Sequence, residues 1–139
     1  MNSLGYNGKY YYCYCTKSCH FSYVLDEALQ HDVQLETSSA FDIDLIRRLY
    51  EQGKLTKEII IICNGFKPEN YLQKIVALIN DGFVNVIPVC DNVKEIDYYN
   101  DHVKGECKIG IRVATEEEPN FEFYTSRLGI RNADGVRFY

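Results

Sequence analysis

The chain has 139 residues, 46% hydrophobic and 25% charged, with 15 Lys and Arg against 20 Asp and Glu for a net charge of −5. That length and apolar content suit one globular domain and exclude disordered and collagen-like classes. The acidic balance, with no basic run interleaved with aromatics, argues against a nucleic-acid partner, and the longest apolar run, 59–63, is far too short for a membrane span.

The first ten residues, MNSLGYNGKY, carry neither a charged n-region nor an apolar h-region. The chain is therefore expected to stay in the cytoplasm, with its six cysteines as reduced thiols. The first predicted strand is 11–16, in YYCYCTKSCH, where a single lysine is set among cysteines. Strand alternation puts Cys13, Cys15 and Lys17 on one face and Tyr12, Tyr14 and Thr16 on the other.

A second strand, 33–36, carries Gln34 and Glu36 on one face, and Ser39 followed by Asp42 fits a capping box opening the next helix. The third strand, 58–63, delivers Asn64 on the face of Ile60 and Ile62, followed at once by Gly65. Pro68 suits a first helical turn, and Tyr71, Leu72, Ile75, Val76 and Ile79 recur with the spacing of one helix face. After a fourth strand, 84–89, Asp91 is expected to cap a helix through Tyr99. The fifth strand, 107–113, has Lys108, Gly110 and Arg112 on one face. His31 and His102 read as exposed helix-end or loop residues, and Glu116, Glu117 and Glu118 as a solvated loop.

Strand starts thus recur every ~24 residues, about one right-handed β/α unit of a parallel sheet. The fold class is α/β. Two architectures fit: a complete five-stranded doubly wound sheet, or five of the eight units of a TIM barrel, which normally takes about 250 residues. Length favours the first. The tail favours the second, because ATEEEPNFEFYTSRLGI and RNADGVRFY read as a further connection and the start of another helix.

Ligand chemistry in parallel sheets gathers beyond the carboxyl ends of the strands. Four of the five strands end in a polar residue there: Lys17, Glu36, Asn64 and Arg112. Any one of these is also what a strand meeting water looks like. Together, on matching faces, they bring an amine, a carboxylate, an amide and a guanidinium to one mouth. An amine with the ordinary pKa of about 10.4 is protonated, whereas burial at a sheet mouth lowers that value and yields a nucleophile able to form a Schiff base. Pyridoxal phosphate is the usual partner of such a lysine.

YCTKSCHFSYVL resembles the lysine signature of the group IV pyridoxal phosphate decarboxylases, with Cys15 where that family usually has Ala or Pro. LETSSAFDI, with Glu36 and Asp42, resembles the family's next block. IIIICNGFK is similar to the third-strand block, in the form of the biosynthetic arginine decarboxylases. IGIRVATEEE resembles the fifth-strand block, and TSRLGI the Ser, basic, Leu, Gly motif beyond it. The resemblance implies a fold-III, alanine racemase-like barrel in which Lys17 is the cofactor lysine and Glu36, Asn64, Arg112 and Arg127 lie around pyridoxal 5'-phosphate. It implies decarboxylation of a small amino acid, arginine to agmatine, by a homo-oligomeric parent enzyme. Asp42 keeps its plainer reading as a helix cap.

The family's later blocks, a ring-stacking histidine, a glycine-rich phosphate loop, an acidic partner for the pyridine nitrogen and a β domain, have no counterpart in the chain. An internal piece of a decarboxylase, inactive alone, is the expectation. A non-catalytic, decarboxylase-like binding or regulatory protein is the alternative. A metal or thiol site on Cys13, Cys15, Cys19 and His20 is poorer, since no CxxC pair exists, and no GxGxxG marks a nucleotide site.

Overall fold

Five short runs of β-branched, aromatic and cysteine residues pair as strands, and the amphipathic stretches between them coil into helices. The computed structural model describes residues 5–114 and 129–130. In chain order it holds β1 (Cys13–Cys15), α1 (Ser22–Leu29), β2 (Gln34–Thr37), α2 (Ala40–Glu51), β3 (Ile61–Cys63), α3 (Glu69–Asn80), β4 (Val86–Cys90), α4 (Val93–His102) and β5 (Gly110–Ile111). The strands form one parallel sheet in the order β1-β2-β3-β4-β5.

That order bears on the two expected architectures. A doubly wound sheet reverses its strand order at a switch point. Here every crossover advances to the next strand, so right-handed connections leave the helices on one side. The core agrees: Leu25 of α1, Ile46 of α2, Ile75 of α3 and Tyr99 of α4 pack with Leu35, Ile61, Val86 and Cys90 of the strands. The opposite face carries Cys15, Glu36, Ile62 and Ile87 in one cross-strand row, and all four are half-buried.

Four of the five strands are shorter than predicted, and β2 keeps its length one residue further on. Tyr11 and Tyr12 are exposed, because the β1 ladder to β2 opens only at Cys13 opposite Gln34. Periodicity reads apolar content, not the length of the partner strand. β5 shrinks to two residues, and Val113 instead forms a parallel bridge with Ile130, where a loop was expected. Ala114 N donates to Ile130 O at 2.9 Å and Ile130 N to Arg112 O at 2.7 Å. Gly129 permits this approach, with φ +115° and no Cβ to meet Ala114 N.

Helix starts follow the capping chemistry, with two shifts. Ser39 accepts from Asp42 N, and the Asp42 carboxylate accepts from Ser38 N at 2.9 Å and Ser39 Oγ at 3.0 Å. Pro68 sits one residue before α3 as its N-cap. Asn92, not Asp91, caps α4, accepting from Glu95 N at 3.1 Å. Asp and Asn cap equally well, so adjacent candidates leave the choice to packing, which turns Asp91 inward. On α3, Leu78 is buried in addition to Tyr71, Ile75 and Val76, while Leu72 and Ile79 lie at the margin of the apolar face. No helix among the described residues is long and apolar enough to cross a membrane.

Candidate functional site

The carboxyl end of the sheet is laced by backbone bonds that aim its polar side chains. Thr16 N and Oγ1 both donate to Glu36 O, at 2.9 and 3.1 Å, tying the end of β1 to β2. Asn64 N donates to Thr37 O at 2.8 Å and Arg112 N to Cys90 O at 3.1 Å, extending β3 and β5 by one residue each. Strand alternation then puts the Glu36 and Asn64 side chains on the face away from the helices. Gly65, at φ +78°, turns the chain sharply after Asn64 in a conformation that favours glycine.

Three of the expected site residues meet. Asn64 Nδ2 donates to Glu36 Oε1 at 3.1 Å, and Asn64 Oδ1 accepts from Gly65 N at 2.9 Å and from Arg112 Nη2 at 2.5 Å. Arg112 Nη1 lies 3.4 Å from Asp91 Oδ1. Glu36, Asn64, Arg112 and Asp91 thus form a continuous polar string over the ends of four strands. Its one guanidinium stands between two carboxylates, in direct contact with Asp91 and reaching Glu36 through the amide.

Lys17 does not take the buried position expected for it. It is exposed, in the turn after β1, where Ser18 N and Oγ close back on Cys15 O at 3.1 and 2.7 Å. The cause is local: β1 has only three residues, and the chain turns as soon as Thr16 is tied to Glu36. Arg127 lies outside the described residues, as do Glu116, Glu117 and Glu118. Asp42 is engaged in its cap through Oδ2. His31 and His102 are exposed, as expected.

A second charged group was missed by sequence reasoning. Beneath the string, Lys67 Nζ donates to Gly65 O at 3.0 Å, to Val89 O, and to Glu95 Oε2 at 3.1 Å. Both side chains are buried. Asp91 N donates to the same Glu95 oxygen at 3.2 Å, which links this pair to the string. Glu95 carried a signal, since Asn92 and Glu95 have capping-box spacing. Lys67 stands in the NGFK segment, but nothing in spacing marks a lysine for burial, and Asp91 looked like a cap.

The thiols divide by face. Cys63 and Cys90 lie in the helix-facing core, and burial pushes each up to about 12. Cys13, on the open face, is raised by burial first and by the neighbouring Glu36 charge second. All six cysteines are free. The His20 ring packs edge-on against Phe41, with centroids 5.5 Å apart. Among the described residues, no group of three or more His, Cys, Asp or Glu side chains is arranged to hold a metal.

Fold and site together define a singly wound parallel α/β sheet with an acid-amide-guanidinium cluster at its carboxyl end. No protein family, curated protein or solved structure matches the chain.

Proposed function

We propose that this chain is part of a pyridoxal phosphate-dependent amino-acid decarboxylase, with Lys17 as the cofactor lysine and arginine as the substrate its motifs favour. The observation that carries the reading is the convergence of Glu36, Asn64 and Arg112 on one side of the sheet mouth, beside the strand whose following turn carries Lys17. Among the described residues, the stretches resembling the decarboxylase blocks contribute Glu36, Asn64 and Arg112 to this mouth. The sequential strand order, the single helix layer and the parallel bridge from Val113 to Ile130 support reading the sheet as consecutive units of a barrel.

The donor set fits the cofactor: a primary amine open to approach, a half-buried carboxylate and a guanidinium with N–H groups that have no partner among the described residues. Pyridoxal phosphate, when bound, supplies an aldehyde for an amine and a ring that withdraws the electrons released at a substrate's α-carbon. Asn64 keeps Glu36 and Arg112 apart and oriented, and Arg112 offers its remaining donors to anionic oxygen. Glu36 presents an acceptor toward the open face. Cytoplasmic location and a homo-oligomeric parent enzyme belong to the same reading.

The test is chemical. Purified chain mixed with pyridoxal phosphate and reduced with borohydride is expected to carry the pyridoxyl label on the peptide containing Lys17, and Lys17→Ala to lose both the label and the absorbance of the lysine-bound cofactor. Labelling spread over the other lysines, or none, rejects the reading. The exposed turn carrying Lys17 favours a second reading, a decarboxylase-like binding or regulatory protein. Its signature is an absent Lys17 label together with co-purification of a full-length decarboxylase.

A further inference from the structure

We infer that Asp91 is a positioning residue, whose carboxylate fixes the plane of the Arg112 guanidinium at the mouth of the sheet. The Asp91 side chain is only 4% exposed, and among the described residues neither of its oxygens has a hydrogen-bond donor. A carboxylate so shielded is costly unless a countercharge stands beside it. The groups around it decide which cation that is. Lys67 is committed to Glu95 and to two carbonyls, and Glu95 faces Asp91 only through the Asp91 backbone N–H. Arg112, with Nη1 3.4 Å from Asp91 Oδ1, is the partner.

The second hold on Arg112 is the 2.5 Å bond from Nη2 to Asn64 Oδ1. A guanidinium is a rigid planar fork of five N–H donors. A hydrogen bond to one terminal nitrogen from β3, and the Asp91 charge beside the other at the end of β4, together set the plane and therefore the direction of the donors left over. The Arg112 side chain is 28% exposed, so those donors reach the open mouth. Such a fork matches the oxygens of a carboxylate or phosphate group. With Asp91 neutral, Asn64 alone holds one nitrogen and the plane is free to turn.

Only the identity of the ligand rests on the decarboxylase reading, so the test has two arms. The first needs no ligand: phenylglyoxal modification of Arg112, followed by peptide mass mapping, is expected to run roughly tenfold faster in Asp91→Asn than in the wild-type chain, the loss of one charge-assisted contact. Equal rates overturn the inference. Arg112 is partly open to water, so Asp91→Asn is expected to keep its far-ultraviolet circular dichroism. If it does not fold, Asp91→Glu carries the comparison, with an intermediate rate expected and an unchanged rate overturning.

The second arm titrates pyridoxal phosphate and reads Lys17-dependent absorbance. Its Kd is expected to rise about tenfold in Asp91→Asn and less in Asp91→Glu. A wild-type chain without that absorbance rejects the decarboxylase reading and leaves the phenylglyoxal rates to decide on Asp91. A normal signal with an unchanged Kd in Asp91→Asn overturns the positioning role for this ligand.

Discussion

The Lys67 ammonium lies 3.1 Å from the Glu95 carboxylate, with 0% and 5% of the two side chains exposed. One pair therefore ties the turn after β3 to the first turn of α4, directly under the polar string of the mouth. Lys67 also donates to Gly65 O and Val89 O, so the ammonium links the turn after β3, strand β4 and helix α4.

Removing one member of such a pair strands the other. Lys67→Met is expected to destabilise the fold by about 3–5 kcal/mol, because Glu95 stays buried without its countercharge. Lys67→Met combined with Glu95→Gln is expected to cost less than Lys67→Met alone. Urea unfolding of the wild-type chain, Lys67→Met, Glu95→Gln and the double variant decides: additive losses mean that the pair is not coupled.

Two buried tyrosines give opposite expectations. Tyr71 OH lies 2.9 Å from Thr37 Oγ1 in the core, so Tyr71→Phe leaves a buried threonine hydroxyl with only a 3.4 Å contact to Ile62 O. A loss of about 1–2 kcal/mol is expected. Tyr99 OH is buried with no hydrogen-bond partner among the described residues. Tyr99→Phe removes an unpaired polar group and is expected to be neutral or stabilising by up to about 1 kcal/mol. Thermal unfolding of the two variants side by side separates them, and a larger loss in Tyr99→Phe contradicts the assignment.

Much of this arrangement was legible in the chain. The β/α alternation was readable because strand runs and helix faces have different periods, and the Ser39 cap because its chemistry is local. Glu36, Asn64 and Arg112 were readable as a set because alternation within each strand puts them on one face whatever the neighbouring strands do. The exposure of Lys17 was not readable: it depends on how soon β1 turns away, which the Thr16 to Glu36 bonds decide across twenty residues of sequence. Asp91 was misassigned for a related reason. Two adjacent residues of equal capping strength look alike until Arg112 arrives from the fifth strand to hold one of them inward.

Alkaline pH probes the core thiols. Burial pushes Cys63 and Cys90 from an ordinary 9.0 up to about 12. Between those values the unfolded chain has lost these protons and the folded chain has kept them, so the unfolding free energy falls as pH rises. The slope reaches about 1.4 kcal/mol per pH unit for each thiol. Below pH 9 this stabilisation is fully present. Tyr71 and Tyr99, raised in the same direction by burial, add to the fall above pH 10. Urea midpoints are expected to drop steadily from pH 9 to 11 and to drop less in Cys63→Ala with Cys90→Ala; a flat profile in the wild-type chain contradicts the burial.

The bridge between Val113 and Ile130 depends on Gly129. Its φ of +115° is left-handed, and an added Cβ meets Ala114 N at 2.8 Å and Arg112 O at 3.1 Å, both backbone atoms that cannot step aside cheaply. Gly129→Ala is expected to break the Ile130 bridge at a cost of about 1–3 kcal/mol. Arg112 O accepts the Ile130 N–H, so the effect is expected to reach the site as faster exchange of the Ile130 amide and faster phenylglyoxal modification of Arg112. The β1 to β4 ladders do not pass through this contact, so their amides are expected to keep wild-type protection. Hydrogen exchange resolved by peptide tests both halves: uniform loss of protection across the sheet means global destabilisation, and an unchanged Ile130 amide means the glycine is dispensable.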